Sequence, residues 1–481
     1  MIVTRCHAIA DHPVLEQAET DNSIVTSEHM DSVYVFMWPG WREELESNRW
    51  HWGKRWARKF PVVFIQPELT QGEPAVSSPE SRLANAEILS IETYPAEAES
   101  LFGVGLRQSA QIVEHMRSRG HERPLFWLYN PWLAVPYLVV PAAARVYHGT
   151  ENYFDFGNIP RSWMALARYS IETSDLVVCC SNGVARGFAA HTVRKDFLTI
   201  PNGCEYLKYS RPTSPRGTWP ALIADWQQSN RRLAVFAGNI NVRLDYGLLT
   251  TLAARRPEIG FVLAGPISLE RLSPHQRRVC GALLRRSNVR ALGRLQPEDL
   301  PILYWGCDVG IIPYRTDMPI LVENGFPLKA LEMAAAGLPV VSSLMKPLQE
   351  VPEAVTVVNS PEAFSLAVAS HSRRVRPAAA REAAERVCRA FDYDLLFERM
   401  LSALAPRFGD GPPRPGDLAD FSASIGLGAY RTSIGSLGEI GVAQNGIPPR
   451  YRVGLLSSII PLSIRRLVPV PIRRFSRRWI A

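Results

Sequence analysis

The sequence predicts an α/β protein built as two doubly wound parallel-sheet domains that face a cleft. Three observations lead there. From residue 33 onward, short apolar runs bounded by Gly, Pro or Asn alternate with segments of helical periodicity. The alternation breaks at 211–230, a stretch rich in Pro, Ser and Arg, and then restarts. The chain has 481 residues, 46% hydrophobic and 21% charged, which suits two globular domains with extensions.

The elements follow in order. Residues 1–31 are a polar leader. The run VYVFMW at 33–38, closed by Pro39-Gly40, reads as a buried strand. A helix dense in Trp and basic residues follows at 48–60; it either packs its tryptophans inward or faces lipid. VVFIQP at 62–67 makes the opening β-α-β, which implies a parallel pair with a right-handed crossover. Residues 70–84 read as loop, ILSIETYP as a strand and 106–119 as a helix. Strands at 124–128, 144–148, 175–181 and 197–201 alternate with helices at 159–170 and 184–190. Past the linker, strands begin at 232, 261, 288, 308, 340 and 355, with helices between them. Residues 378–404 read as a helix broken near Asp392. The predicted organisation is a first domain at 32–210, a linker at 211–230 and a second domain at 231–385. A helix at 386–405 packs back toward the first domain, and a flexible tail occupies 406–481. Ligands of such sheets bind beyond the carboxyl ends of the strands.

Residues 323–343, ENGFPLKALEMAAAGLPVVSS, carry the strongest local signal. Asn324 reads as an N-cap, Pro327 as a first-turn residue, and Gly337 with Pro339 as the helix stop. Lys329 and Glu332 stand three apart and so share a face. A cation at a helix N-terminus suits a diphosphate, and a carboxylate one turn on suits two adjacent hydroxyls. A plain surface ion pair explains the same spacing.

The net charge of +8 is unevenly spread. The segment 406–481 holds eleven Arg, no Lys and four acidic residues, so it carries +7 and the first 405 residues only +1. That distribution argues against a nucleic-acid groove in the body and for an anionic partner of the tail. The end of the tail, LLSSIIPLSIRRLVPVPIRRFSRRWIA, mixes apolar residues with six Arg and suits an anionic membrane surface or a disordered basic tail. Seven scattered Cys without a C-x-x-C suggest buried free thiols rather than a zinc or redox site. With no secretory leader and no run of about 18 apolar residues, the expected location is cytoplasmic, peripheral on the inner face of the cell membrane.

Six segments in register resemble a GT-B glycosyltransferase with two Rossmann-like domains. They are FWLYNPW (126–132), VYHGTENYFD (146–155), DLVVCCSNGVARGFAAHTVRKDFLTIPNGCEY (175–206), VFAGNINVRLDYGLLTTLAARRPEIGFVLAGP (235–266), NVRALGRLQPEDLPILYWGCDVGIIPY (288–314) and FPLKALEMAAAGLPVVSS (326–343). The Pro-Leu-Lys-x-x-Glu form resembles bacterial enzymes of exopolysaccharide assembly, including membrane-associated glucuronosyltransferases. The resemblance implies sugar transfer from a nucleotide diphosphate sugar, a UDP-sugar before a GDP-sugar, to a hydroxyl of a saccharide or lipid-linked saccharide. It implies no cofactor and, without a convincing D-x-D motif, no metal.

Carried over by position, Glu332 is the ribose-binding residue and Lys329 meets the diphosphate. Gly238, Asn239 and Arg243 also face the diphosphate, Gly293 and Arg294 read the base, and Tyr314 lines the donor pocket. Asn324, Gly325 and Phe326 lie beside the donor sugar. Asn324 stands where the family usually has a Glu, and Asp245-Tyr246 where it usually has a second basic residue. His148 and Glu151, in HGTEN after a strand end, are the candidate catalytic residues, since either could take the acceptor proton. A sugar-nucleotide 2-epimerase of the same fold and a non-catalytic nucleotide-sugar-binding subunit are the alternatives.

Overall fold

The computed structural model describes residues 25–37, 46–69, 75–77, 83–92, 101–156, 161–211, 218–269 and 272–414. Most of the polar leader, and the tail from 415 with its basic apolar end, lie outside the described residues.

The first domain is an eight-stranded sheet of β1 (Ser32–Phe36), β2 (Val62–Leu69), β3 (Ala75–Ser77), β4 (Ala86–Glu92), β5 (Pro124–Leu128), β6 (Ala144–Gly149), β7 (Leu176–Cys179) and β8 (Leu198–Thr199). Their order is β3-β4-β2-β1-β5-β6-β7-β8, and every pair except β3·β4 is parallel. Central strands of such a sheet are covered on both faces, which is why β1, β5 and β6 are buried at every residue. The strand β3 falls inside the stretch read as loop. Its three residues are too few to show alternation, and it is held by antiparallel pairing to β4 rather than by its own pattern.

Helices α1 (Asn48–Trp56), α2 (Leu101–Arg119), α3 (Ala134–Val139), α4 (Arg161–Thr173) and α5 (Asn182–His191) cross between these strands. Trp50, Trp52 and Trp56 of α1 are buried, so this helix packs its tryptophans inward and the lipid-facing alternative is overturned. A connecting helix α6 (Tyr206–Ser210) follows the sheet. The stretch read as a linker is only partly one. It contains a short 3-10 turn, Trp219–Leu222, and helix α7 (Ala224–Gln228), whose Trp219 and Trp226 are buried in the second domain's core. The Pro and Ser content of 211–218 hid these two tryptophan anchors.

The second domain is an all-parallel sheet of β9 (Arg232–Ala237), β10 (Ile259–Ala264), β11 (Val289–Gly293), β12 (Val309–Ile312), β13 (Val340–Ser343) and β14 (Val355–Val358). The order β11-β10-β9-β12-β13-β14 reverses between β9 and β12, which opens a crevice at their carboxyl ends. Helices α8 (Tyr246–Arg255), α9 (Pro274–Leu284), α10 (Leu300–Trp305), α11 (Pro319–Asn324), α12 (Lys329–Ala335), α13 (Pro361–Ser370) and α14 (Ala378–Ala390) cover its faces.

The single helix read at 324–336 is two. Asn324 is the last residue of α11, not an N-cap. A residue before proline is pushed out of the helical region, so Pro327 separates α11 from α12. The Pro327 carbonyl then accepts from the Ala330 N–H at 3.0 Å and opens α12. The stop is as read: Gly337 has φ +83°, its N–H meets the Ala334 carbonyl at 2.9 Å, and the Leu338 N–H meets Met333 at 3.0 Å.

The last helix, α15 (Tyr393–Leu404), is capped by Asp392, whose side chain accepts from the Asp394 N–H. It returns to the first domain. Tyr393, Phe397, Met400 and Leu404 share a core with Trp52, Trp56 and Trp127, and His51 stacks on Tyr393 at 4.3 Å. The buried Arg55 guanidinium pairs with Asp394 at 2.8 Å. Among the described residues no helix is long and apolar enough to cross a membrane.

Candidate active site

The crevice at the β9/β12 reversal gathers the candidate donor residues. β9 ends at Ala237, and Gly238 follows with φ +141°. A Cβ there would lie 2.5 Å from the Lys329 Nζ. Gly265, at the end of β10, has φ +142°, and a Cβ on it would lie 2.0 Å from the Gly238 carbonyl oxygen. Only glycine fits either position. Gly265 is not among the site residues expected from the sequence; the signal available was its place at a strand's carboxyl end, like Gly238. The Gly265 N–H donates to Gly293, which itself has φ +69°, so three strand ends are stitched together.

Lys329 lies at the centre. Its Nζ donates to the Tyr314 hydroxyl at 2.8 Å and stands 4.7 Å from the Phe236 ring centroid. Burial pushes the Tyr314 hydroxyl up, but the Lys329 and Arg243 charges outweigh it and hold it below its ordinary range. That is a mark of a strongly positive pocket. α12 has only seven residues, so the positive charge at this end of the crevice comes mainly from Lys329 rather than from the helix dipole.

Arg243 is fixed through its backbone. Its carbonyl accepts from the Arg315 N–H at 2.9 Å, and Leu244 bridges to Tyr314. Its side chain reaches across the cleft to Glu151 at 2.7 Å. Asp245, in place of the family's second cation, caps α8 by accepting from the Leu248 N–H at 2.8 Å. Asn239 and Arg294 are exposed at the rim, and Gly293 is half-buried beneath Arg294.

Glu332 is 7% exposed on α12. Burial raises its carboxyl to about 7, against the opposing pull of Lys208, the Tyr209 hydroxyl and Lys329. Lys208 and Tyr209 belong to α6, which sequence reasoning passed over, and Lys208 pairs with Glu46. The carboxyl is thus engaged with the interdomain connection rather than standing open at the crevice.

The residues read as donor-sugar contacts occupy other roles. The Asn324 amide donates to Asp155 of the first domain at 3.3 Å, and its carbonyl accepts from the Ser181 hydroxyl at 3.0 Å. Here Asn324 joins the domains. Gly325 caps α11, where a Cβ would meet Met345 at 2.2 Å. Phe326 is 4% exposed, turned into the core beside Phe391, while its carbonyl accepts from Asn202 at 2.6 Å. Its side chain therefore does not face the crevice.

His148 and Glu151 separate clearly. His148 is not in the polar loop but inside β6, with no measurable exposure. Trp52, Trp127 and Tyr129 surround its ring, and neither nitrogen has a hydrogen-bond partner. Burial alone holds it neutral, with its pKa lowered to about 3. Such a group does not suit proton transfer near neutral pH. Glu151, two residues beyond the strand, is half-exposed at the cleft.

The chain is similar to known proteins in sequence and in fold. The family model for Glycosyl transferases group 1 matches residues 231–372. A Bacillus subtilis (strain 168) protein named as a teichuronic acid biosynthesis glycosyltransferase, TuaH, is 27% identical over 175 residues, 36% of this chain. The chain spans 41% of that relative's length. Sucrose-phosphate synthase from Thermosynechococcus elongatus superposes with a TM-score of 0.60 at 17% identity, over 79% of this chain and 99% of that one. Anabaena HepE in complex with UDP and glucose gives 0.58 at 15% identity, over 79% and 100%. The E. coli trehalose-6-phosphate structure bound with UDP-2-fluoro glucose gives 0.59 at 14%, over 80% and 100%. The chain has the GT-B fold, and its second domain matches the family model for Glycosyl transferases group 1.

Proposed function

We propose that this protein is a glycosyltransferase that moves a sugar from a nucleotide diphosphate sugar to an acceptor hydroxyl in the assembly of a glycan or polysaccharide. The observation that carries it is the cationic cradle at the β9/β12 reversal, where Lys329 sits on Tyr314 against the bare backbone of Gly238. A diphosphate needs close backbone approach and fixed positive charge, and this crevice supplies both. UDP is favoured as the nucleotide, because two of the similar structures are complexes with UDP or a UDP-sugar.

The chemistry follows. The bond from the sugar's anomeric carbon to the diphosphate oxygen breaks, and one to the acceptor oxygen forms. The acceptor proton passes to the Glu151 carboxylate, the accessible candidate base. Lys329 and Arg243 hold the charge that develops on the leaving diphosphate, so transfer proceeds without a metal. The basic apolar segment at 450–481 is assigned to an anionic membrane surface, which would keep the enzyme beside a lipid-linked acceptor.

The test is slow donor hydrolysis by the purified chain with a panel of UDP- and GDP-sugars. Release of nucleotide supports transfer. Epimerised donor without release points to an epimerase, and binding without turnover in the presence of lipid extract points to a non-catalytic subunit.

A further inference from the structure

The first domain carries a group of large aromatic side chains that the donor site does not use. After β5, Asn130 caps a 3-10 turn by accepting from the Trp132 N–H at 3.1 Å, which fixes Trp132 at the carboxyl end of the sheet. After β6, Asn152 caps a second such turn that carries Tyr153, with Phe156 just beyond. The Trp132 ring lies 3.9 Å from Trp163 at the start of α4 and 5.7 Å from Tyr153; Tyr153 stacks on Phe156 at 5.7 Å. All four residues are only half-buried, whereas Leu133 and Phe154 beside them enter the core. Trp163 packs against the domain core, and Trp132, Tyr153 and Phe156 gather on it while keeping part of their surface in water.

Their position relative to the cleft is set by Glu151. It stands two residues before Tyr153 and pairs with Arg243 of the opposite domain. Burial raises the Tyr153 hydroxyl above its ordinary range, the nearby Glu151 carboxylate adds to that and the Arg49 guanidinium opposes it, so the ring's polar end is enclosed near both charges. The exposed Asp155, bonded to Asn152, flanks the other side. Sugar rings present C–H faces to aromatic planes and hydroxyls to carboxylates and amides, and this surface alternates those two kinds of group. The carboxylates of Glu151 and Asp155 repel an anionic lipid surface.

We propose that Trp132, Tyr153 and Phe156, backed by Trp163, form a platform on which a pyranose ring of the acceptor stacks, with a hydroxyl directed at Glu151. The acceptor role rests on the glycosyl-transfer reading; the stacking itself does not. The Trp132 plane is tilted 56° to that of Tyr153, so a ring stacked on Tyr153 meets Trp132 as a side wall and has one edge toward Glu151. Substitution on its far face is blocked by the rings, so the platform selects pyranosides with an unhindered C–H face.

The experiment is saturation-transfer NMR on the full chain with methyl pyranosides of glucose, galactose, mannose and N-acetylglucosamine, with and without UDP. Trp132→Ala is expected to weaken pyranoside binding at least roughly tenfold, and Trp132→Phe to restore most of it. Calorimetric UDP affinity of each variant reports whether the fold is intact. Pyranoside binding unaltered in Trp132→Ala and in Tyr153→Ala overturns the platform. So does loss of binding to phosphatidylglycerol vesicles in those variants with pyranoside binding intact, since that outcome marks a membrane face. Failure of the wild-type chain to bind UDP strikes the glycosyl-transfer reading and leaves the pyranoside result to stand or fall alone.

Discussion

The Arg243 guanidinium donates to the Glu151 carboxylate at 2.7 Å, and this contact joins the two domains across the cleft. One partner is the candidate diphosphate cation and the other the candidate base. Each therefore occupies the other in this structure. A half-exposed pair of this kind is worth about 0–1 kcal/mol, so a diphosphate can displace it readily. Glu151→Gln should then tighten UDP binding by up to about fivefold while sharply reducing transfer. Calorimetry and a transfer assay read the two effects, and unaltered or weaker UDP affinity would mean that Glu151 does not compete for Arg243.

The cradle makes a paired prediction. Lys329→Ala should weaken UDP by about 1.5–3 kcal/mol, the usual loss for a hydrogen bond to a charged group, and leave uridine binding almost unaltered. Gly238→Ala should act in the same direction, because its Cβ would enter the space of the Lys329 Nζ. Equal losses for uridine and UDP would move Lys329 away from the diphosphate.

Glu332 links stability to pH. Its folded pKa, about 7, is above its ordinary value of 4.5, so the folded state holds a proton that the unfolded state releases. The stability it contributes is complete below about pH 4.5 and is lost as pH rises through 7. Glu332→Gln should remove that slope and gain up to about 3 kcal/mol at pH 8 relative to wild type. Denaturant unfolding across pH 4–8 measures it; parallel curves for the two proteins would refute the buried, protonated carboxyl. If Glu332 instead turns to a bound ribose, Glu332→Ala weakens nucleotide binding by about 1–3 kcal/mol, and unaltered affinity by calorimetry removes that role.

His148 has the opposite sign. Its pKa falls from 6.5 to about 3, as does that of His51, so the unfolded chain takes up protons that the folded one refuses. The stability from each is present above about pH 6.5 and lost as pH falls toward 3. His148→Phe keeps an aromatic ring in the same cage, so acid unfolding should shift to lower pH with transfer retained. Abolished transfer in a folded His148→Phe protein would return the catalytic role to His148.

Removal of 450–481 should release the protein from anionic vesicles and spare donor hydrolysis, with co-sedimentation as the readout. Unaltered pelleting would remove the anchor.

The two α/β domains were legible because the apolar period of 2, the helical period near 3.6 and the Gly and Pro stops are local properties. The residues of the candidate crevice were brought together for a related reason: Gly238, Tyr314 and Lys329 follow strand ends or open a helix, and those positions can be read along the chain. Only the folded chain decided which way side chains point. Asn324 and Phe326 look like site residues in sequence, yet Pro327 splits their helix and turns one toward Asp155 and the other into the core. His148 and Glu151 are three residues apart, and a strand end between them puts one among tryptophans and the other in the cleft. Burial depends on which distant segments close over a residue. Here those segments are α1 and α15, which share the core on one face of the first sheet, and α6, whose tyrosines enter the second domain's core, and no local pattern records either packing.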